Sequence, residues 1–247
     1  MTNMAAESAN QILEIVEFGS MNGQASLENG IVSISTVSGY NNASQTGSTA
    51  SLGNSSGYAT STVNITNNVS NTYNTNGKRA ISYRGMENPW GNIWRMIGGL
   101  NIYGNKEQSG GVPYICTNFN YNISSLTNDY ESVGFCLPSN YGWISAMGYG
   151  NEHYDWVFMP IECSSSATST VPVGDNLWTN PDLNGLTLAA VGGSWGFGQA
   201  SGPFYYACDS FLTETSQTGY GASLMFIPTK NNNYTANYQK WQQKMEG

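Results

Sequence analysis

Charged residues are scarce in this chain of 247 residues. They make up 10% of the sequence, where about a quarter is typical of a soluble protein. Sixteen acids against eight bases leave a net charge of −8. A surface that binds nucleic acid needs clustered Lys and Arg, and so does docking on an anionic membrane. We therefore expect neither a nucleic-acid partner nor a role at a membrane surface.

Long apolar segments and closely spaced cysteines are also missing. No run approaches the roughly 18 apolar residues of a membrane-spanning helix, so we expect no membrane insertion. The N-terminus has no basic segment followed by an apolar stretch, which predicts no signal peptide. The cysteines form no CxxC pair, which predicts no zinc site and mostly reduced thiols, although one or two disulfides would fit their number. They are Cys116, Cys136, Cys163 and Cys208.

Histidine occurs once, at position 153. A histidine-dependent catalytic site would have to use His153, which lies in a polar loop and is predicted to make local hydrogen bonds only. Glu152, Asp155 and Glu162 could supply an acidic pair, but carboxylates at strand ends ordinarily face solvent, so glycosidase chemistry is not expected. The sequence predicts a protein with no catalytic residue, no metal and no cofactor.

Aromatic residues, in contrast, are abundant at 13%, with seven Trp, sixteen Tyr and eight Phe. Disordered chains are poor in aromatics and rich in charge, so this composition predicts a folded protein. Neutral polar residues mixed with Tyr and Trp are typical of contact surfaces, where stiff rings give contact area at low entropic cost.

The hydrophobic pattern predicts an α+β fold with short strands, few helices and long irregular loops. Residues 1–9 are expected to be a linker or tail. A helix over residues 9–18 follows, with a buried strand over residues 12–18 as the alternative, and then a second short helix near residues 24–28. One domain is expected over residues 10–228. The tail, residues 229–247, is expected to form a terminal helix or to be mobile.

An uncharged insertion spans residues 36–77, where Asn, Ser, Thr and Gly dominate. It is either a disordered linker or ordered irregular structure. The spacing of its aromatic and β-branched residues favours the ordered alternative.

The segment 80–103 combines two periodicities. Residues 80–84 alternate as a strand does, and Trp90, Ile93, Trp94 and Ile97 then follow helical spacing until Gly98 and Gly99 interrupt it. Strand alternation resumes at residue 100. Further strands are predicted over residues 31–35, 114–117, 133–137, 156–159, 186–191 and 224–227.

Two short phrases in this pattern resemble a known family. Gly91-Asn92-Ile93-Trp94 matches the GNxW phrase of the formylglycine-generating-enzyme type of C-type lectin-like domain. Gly192-Gly193-Ser194-Trp195 resembles its later GGSW phrase, in the family's order and about a hundred residues away. Trp94 and Trp195 are expected to be large core anchors. The likeness covers roughly residues 82–226 and implies a C-type lectin-like fold.

The phrase over residues 84–94, followed later by GGSW, looks more specifically like tail-fibre and adhesin proteins of Bacteroidales phages. Some relatives are variable proteins of diversity-generating retroelements, in which Asn codons of a C-terminal lectin segment are replaced. The resemblance implies trimeric assembly and a solvent-exposed variable face. Here that face would come from residues 196–220, and residues 222–226 would form the strand that closes the fold.

The resemblance therefore implies a set of ligand-binding residues in the segment after Trp195. Phe204 is expected in the core, whereas Phe197, Tyr206 and Phe211 are expected at the surface. Exposed aromatics among small polar residues would form the centre of a binding face. The expected ligand-binding residues are Gly196, Phe197, Gln199, Ala200, Tyr206, Cys208, Asp209, Ser210, Phe211, Thr213 and Tyr220.

The chain also departs from the family. Enzymatic members use a reactive cysteine pair in the C-terminal segment, where this chain has only Cys208, expected to be exposed or half-buried. Arg95 replaces the Glu that commonly follows GNxW. Calcium-dependent lectins use acidic and amide ligands around a cis-proline, and no such phrase occurs near the C-terminus. Neither enzyme activity nor calcium-dependent sugar binding is expected.

The sequence thus predicts a ligand-binding adhesin, the receptor-binding tip of a phage tail fibre. Its partner would be a host cell-surface protein or polysaccharide, and it would be a homo-oligomer on a virion or a bacterial cell surface. One alternative is a structural virion protein whose apolar face, with Phe197 and Tyr206, is buried between subunits. A less favoured alternative is an enzyme of the formylglycine-generating type.

Overall fold

The computed structural model describes residues 2–34, 42–65, 69–106, 110–209 and 219–224. The structure is 35% strand and 13% helix, so the protein is β-rich and the predicted α+β class is wrong. Only two α-helices occur in the described residues, α1 (Met4–Phe18) and α2 (Gly23–Ser26). The described strands are β1 (Gly57–Ala59), β2 (Ser61–Ile65), β3 (Val69–Tyr73), β4 (Ala80–Tyr83), β5 (Met86–Glu87), β6 (Trp94–Asn105), β7 (Val112–Ile115), β8 (Glu131–Ser132), β9 (Gly142–Tyr149), β10 (Phe158–Cys163), β11 (Asn176–Thr179), β12 (Asn184–Val191), β13 (Tyr206–Cys208) and β14 (Tyr220–Gly221).

A curled nine-stranded sheet dominates the fold. Its strand order is β10-β9-β11-β13-β12-β6-β7-β8, with β14 paired to β6. The pairs are antiparallel except β11 with β13 and β14 with β6. The long strands β6 and β12 pair from Asn184 opposite Asn105 to Val191 opposite Arg95, with one irregularity on the way. Two small sheets, β1-β4-β5 and β2-β3, stand apart from it.

The nine-stranded sheet has an inner and an outer face, because successive side chains of a strand point to opposite sides. In β6, Ile97 points into the main core. Trp94 points outward into a separate cluster with Tyr205 and Ala207. In β11, Leu177 lies in the main core. The outer face is therefore a second apolar surface of the sheet, distinct from the main core.

Helix α1 covers part of the inner face. It begins at Met4 because the Asn3 side chain accepts a hydrogen bond from the Ala6 amide at 3.0 Å, and it ends at Gly19, which has a left-handed φ of 63°. The predicted helix over residues 9–18 is confirmed, but it starts five residues earlier. The expected linker over residues 1–9 is corrected, because Met4 lies in the main core.

The helical stripe predicted from Trp90 to Ile97 is wrong. Gly91 and Asn92 have φ values of 69° and 60°, which no α-helix accommodates. Trp90 is fully buried before the strand, with its indole N–H donating to the Glu28 carbonyl at 3.2 Å. Trp94 pairs with β14, and from Arg95 the chain pairs with β12; these pairings override the local periodicity.

Other strand predictions met mixed outcomes. The strands predicted over residues 80–84, 114–117, 156–159 and 186–191 correspond to β4, β7, β10 and β12, with shifted ends. Residues 133–137 form no strand, because Gly134 turns the chain with a φ of 92°. Ile31 makes only isolated bridges. Of the predicted strand over residues 224–227, Leu224 lies outside any strand, and residues 225–227 lie outside the described residues, as does the tail.

Candidate ligand-binding surface

The two phrases that carry the family resemblance meet in space. The Gly91 amide donates to the Gly192 carbonyl at 2.9 Å, and the Trp195 amide donates to the Asn92 carbonyl at 3.1 Å. Gly192 has a φ of 98°, and a Cβ there would lie 3.1 Å from the Pro89 carbonyl oxygen. Only glycine combines this backbone with such a close approach. The junction therefore fixes where the chain after Trp195 leaves the sheet.

Main-chain hydrogen bonds hold the loop after this junction, residues 194–201. The Trp195 carbonyl accepts from the Ile34 amide at 2.9 Å, and the Gly198 amide donates to the Val32 carbonyl at 2.8 Å. The Gln24 side chain donates to the Gly198 carbonyl at 3.1 Å. Residues 32–34, Gln24 and Asn92 thus hold the loop from three separate segments. Its exposed side chains are therefore presented in a defined arrangement.

The loop places Phe197 on the outer face of the sheet. Its ring centroid lies 5.3 Å from that of Trp94 and 5.7 Å from that of Tyr205, and Trp94 and Tyr205 are 4.7 Å apart, all edge-to-face. Such pairs stabilise by about 0.5–1.5 kcal/mol beyond the area they bury. Tyr220 packs against the same cluster from β14, which pairs with β6 at Trp94.

The aromatic surface continues across the sheet to β11 and β9. Burial raises the pKa of Tyr205, and the Trp178 side chain lowers it in part. Trp178 stands opposite Ala207 in the pairing of β11 with β13, and Ala207 lies in the same outer cluster as Trp94 and Tyr205. Trp178 stacks on Tyr141, with centroids 5.4 Å apart and an interplanar angle of 10°. We call Phe197, Trp94, Tyr205, Trp178 and Tyr141 the aromatic strip.

The strip is partly open to solvent. Phe197 is 39% exposed, Trp178 40% and Tyr141 65%, whereas Trp94 and Tyr205 are buried beneath them. None of the five side chains is charged. A partner would therefore meet rings and neutral groups, which recognise by shape, stacking and hydrogen bonding.

The predicted ligand-binding residues are divided by the structure. Gly196, Phe197 and Gln199 are exposed in the loop. Ala200, Asp209 and Tyr220 are half-buried beside it. Ser210, Phe211 and Thr213 lie outside the described residues.

Tyr206 and Cys208 are fully buried, so their prediction as surface residues is wrong. Alternation along β13 turns both inward and Ala207 outward. The Tyr206 hydroxyl accepts from the Gln11 side-chain amide of α1 at 2.8 Å. Burial also raises the pKa of the Cys208 thiol, so it stays protonated and unreactive. Phe204 is in the core, as predicted.

Asp175 is a structural residue near the site that no sequence pattern singled out. Its fully buried carboxylate accepts from the Phe204 amide at 2.7 Å, and a Cβ on Gly202 would clash with the same carboxyl group. Burial raises the pKa of Asp175 well above the usual value. It therefore fixes the turn over residues 202–204 that precedes β13.

The described residues offer little for metal or acid–base chemistry. They contain no group of three His, Cys, Asp or Glu side chains arranged to hold a metal ion. His153 and Glu131 are both largely exposed, with their nearest side-chain atoms 3.9 Å apart. The four cysteines are unpaired thiols.

No protein-family model matches the chain, and no curated protein matches it. Among the described residues, no helix has the length and apolar character needed to cross a membrane.

Proposed function

We propose that this protein is a ligand-binding adhesin, the receptor-binding tip of a phage tail fibre, built on a C-type lectin-like scaffold. Its ligand is a host cell-surface protein or polysaccharide, and it works as a homo-oligomer, a trimer by resemblance, on a virion or a bacterial cell surface. The segment over residues 196–220 is the part open to diversification.

The contact between the two phrases supports the scaffold. GNIW and GGSW lie about a hundred residues apart in sequence, yet Gly91 bonds to Gly192 and Asn92 to Trp195 through the main chain. Two chance tetrapeptides would have no reason to meet in this way.

The observation that carries the function is the placement of Phe197. It is exposed on a loop that three other segments hold, and it extends an uncharged aromatic strip across the outer face of the sheet. Exposed aromatics on a rigid frame are typical of binding surfaces, because little conformational entropy is lost when a partner binds. The binding face consists of Gly196, Phe197, Gln199, Ala200, Asp209 and Tyr220, together with the strip.

The structural alternative loses one of its two key residues. It needed Phe197 and Tyr206 to be buried between subunits, but Tyr206 is already buried inside its own chain against Gln11. The enzymatic alternative gains no support from Cys208, whose thiol is buried and protonated.

Cell binding tests the proposal. Purified, fluorescently labelled protein is incubated with a panel of Bacteroidales strains and measured by flow cytometry, and a double variant, Phe197→Ala with Gln199→Ala, is compared on any strain that binds. We expect the variant to lose most of the signal. Phe119→Ala is the matched control, because Phe119 is an exposed phenylalanine outside the strip. Unchanged binding by the double variant would rule out this face as the receptor site.

A further inference from the structure

Glu14 is a buried carboxyl group without a partner. It lies on the buried face of α1, as do Met4 and Ile15, which pack against the main core. Its Oε2 atom is buried and makes no hydrogen bond with any of the described residues. Burying an unpaired carboxylate is far more costly than burying a neutral carboxylic acid. Glu14 therefore stays protonated while α1 rests on the sheet.

Acids outnumber bases around Glu14. Arg95 already donates to both carboxylate oxygens of Glu7, at 2.9 Å and 2.8 Å. Asp175 adds a second carboxyl group, also fully buried, whose Oδ1 atom has no hydrogen-bond partner among the described residues. We call Glu7, Glu14 and Asp175 the acid cluster. Burial, with Glu7 and Asp175 nearby, raises the pKa of Glu14 to about 9, and burial raises the pKa of Asp175 as well. The other titratable and charged groups that face Glu14 are Glu7 and Glu17 on α1, Tyr83 on β4, Arg95 on β6 and Asp175 before β11.

The turn over residues 202–204 joins the acid cluster to both helices. From α1, Gln11 donates to the Pro203 carbonyl at 2.7 Å. From α2, Gly23 lies so close that a Cβ there would come within 2.7 Å of the Pro203 ring. The Asp175 carboxylate accepts a hydrogen bond from the amide that follows Pro203, at 2.7 Å. A movement of α1 away from the sheet therefore disturbs the contacts of α2 as well.

Helix α2 also holds the loop over residues 194–201, which presents the exposed ligand-binding side chains. The Gln24 side chain donates to the Ser201 carbonyl and, at 3.1 Å, to the Gly198 carbonyl. Only residues 19–22 separate α1 from α2. If α1 leaves the sheet, α2 is drawn with it, and Gln24 withdraws from both carbonyls. The hold on the loop therefore depends on the position of α1.

Opening of α1 leaves the sheet intact. The main-chain hydrogen bonds of an α-helix lie within the helix, so α1 can move away without breaking the pairing of β6 with β12. What it loses is side-chain contact, chiefly the pairing of Glu7 with Arg95 and the hydrogen bonds of Gln11. Proteins open in such partial units at a lower cost than global unfolding. In the open state water reaches Glu14, which then ionises at its ordinary pKa.

From these observations we propose that Glu14 is a proton-dependent switch that controls the loop over residues 194–201. While Glu14 is protonated, α1 and α2 lie on the sheet and Gln24 holds the loop. When Glu14 ionises, α1 and α2 open together and the loop is released, while the nine-stranded sheet stays folded. The effect on ligand binding rests on the proposed function, but the opening itself does not, and its test needs no ligand.

Hydrogen exchange measured by mass spectrometry between pH 6 and pH 8 tests the switch. Opening releases one proton from Glu14, so the opening constant should rise about tenfold per pH unit. We therefore expect the exchange rates of residues 4–18 and 194–201, each divided by the rate of the unstructured peptide, to rise about a hundredfold over this range. The rise should vanish in Glu14→Gln, which cannot ionise. Glu17→Gln is the matched control, because Glu17 is an exposed acid of the same helix and its replacement should leave the rise unchanged.

Amides of β12 are the internal reference, because they exchange only when the sheet unfolds, and their exchange should be at least about tenfold slower than that of α1. Four results would overturn the proposal. The first is a corrected rate for residues 4–18 that does not change with pH, and the second is a rise that persists in Glu14→Gln. The third is equal exchange of α1 and β12, which would show global unfolding. The fourth is a rise in residues 4–18 that is missing in residues 194–201. None of these outcomes involves cell binding, so failure of the switch is distinguished from failure of the proposed ligand surface.

Discussion

Replacing Glu7 by Gln tests how α1 is held against the sheet. The Arg95 guanidinium donates to both carboxylate oxygens of Glu7, at 2.9 Å and 2.8 Å, and to the Pro89 carbonyl at 2.6 Å. Both side chains are almost completely buried. Gln keeps the size and one acceptor but leaves the guanidinium charge without a counter-ion. Breaking a buried pair from one side costs about 3–5 kcal/mol, and we expect that loss in the free energy of unfolding.

Urea denaturation at neutral pH measures the effect. Glu17→Gln is the matched control: Glu17 pairs with Arg84 at 3.1 Å near the surface, so its loss should cost less than about 1 kcal/mol. Replacing both Glu7 and Arg95 by apolar residues should recover most of the loss, because no buried charge is left unpaired. A cost below about 1 kcal/mol for Glu7→Gln would mean that α1 does not pack as described.

Three further predictions concern the site and its support. Gly193→Ala should lower the free energy of unfolding by more than about 2 kcal/mol, because the φ of Gly193 is 79° and a Cβ there would clash with the Ser201 hydroxyl. Gly196→Ala is the control: a Cβ at Gly196 would have no other atom within 4 Å, so the free energy of unfolding measured in urea should change by less than about 0.5 kcal/mol. Burial, with Glu7 and Asp175 nearby, raises the pKa of Glu14 from 4.5 to about 9. The native state therefore holds a proton that the unfolded state releases, and the free energy of unfolding falls as pH rises from about 4.5 to about 9. Glu14→Gln should flatten that slope and raise the free energy of unfolding above that of the parent by at least about 1 kcal/mol between pH 5 and pH 8. A thiol reagent should label one cysteine per native chain, the exposed Cys136, and four in denaturant. Rapid native labelling of a second thiol, located by peptide mapping, would contradict the burial of whichever of Cys116, Cys163 and Cys208 it modifies.

The hydrophobic pattern located four of the nine strands of the main sheet, β6 in part, β7, β10 and β12, but missed the other five and what decides the neighbours of each strand. β4 and β12 could be predicted because their β-branched and apolar residues form short runs between turn residues. The stripe from Trp90 to Ile97 could not be interpreted correctly, since one-dimensional spacing does not reveal that Trp94 pairs with β14 and that residues 95–105 pair with β12. Those pairings come from sequence positions about a hundred residues away.

The candidate site shows the same limit. Phe197 could be placed at the surface because it follows GGSW in a segment of small residues. Tyr206 could not, because its burial depends on Gln11 of a helix almost two hundred residues earlier. The place of Trp178 and Tyr141 in the aromatic strip could not be predicted, because nothing in their local sequence shows that the pairing of β11 with β9 brings their rings together.

The most direct test of the binding surface is a ring-by-ring measurement of affinity. Equilibrium dissociation constants for a bound Bacteroidales strain are compared for the parent protein and for Phe197→Ala, Trp178→Ala, Tyr141→Ala and Phe119→Ala. If the aromatic strip meets the receptor, Phe197→Ala weakens binding by about tenfold or more, the typical effect of a hot-spot residue, and Phe119→Ala has no effect. Equal affinity for the parent protein and Phe197→Ala would contradict the account.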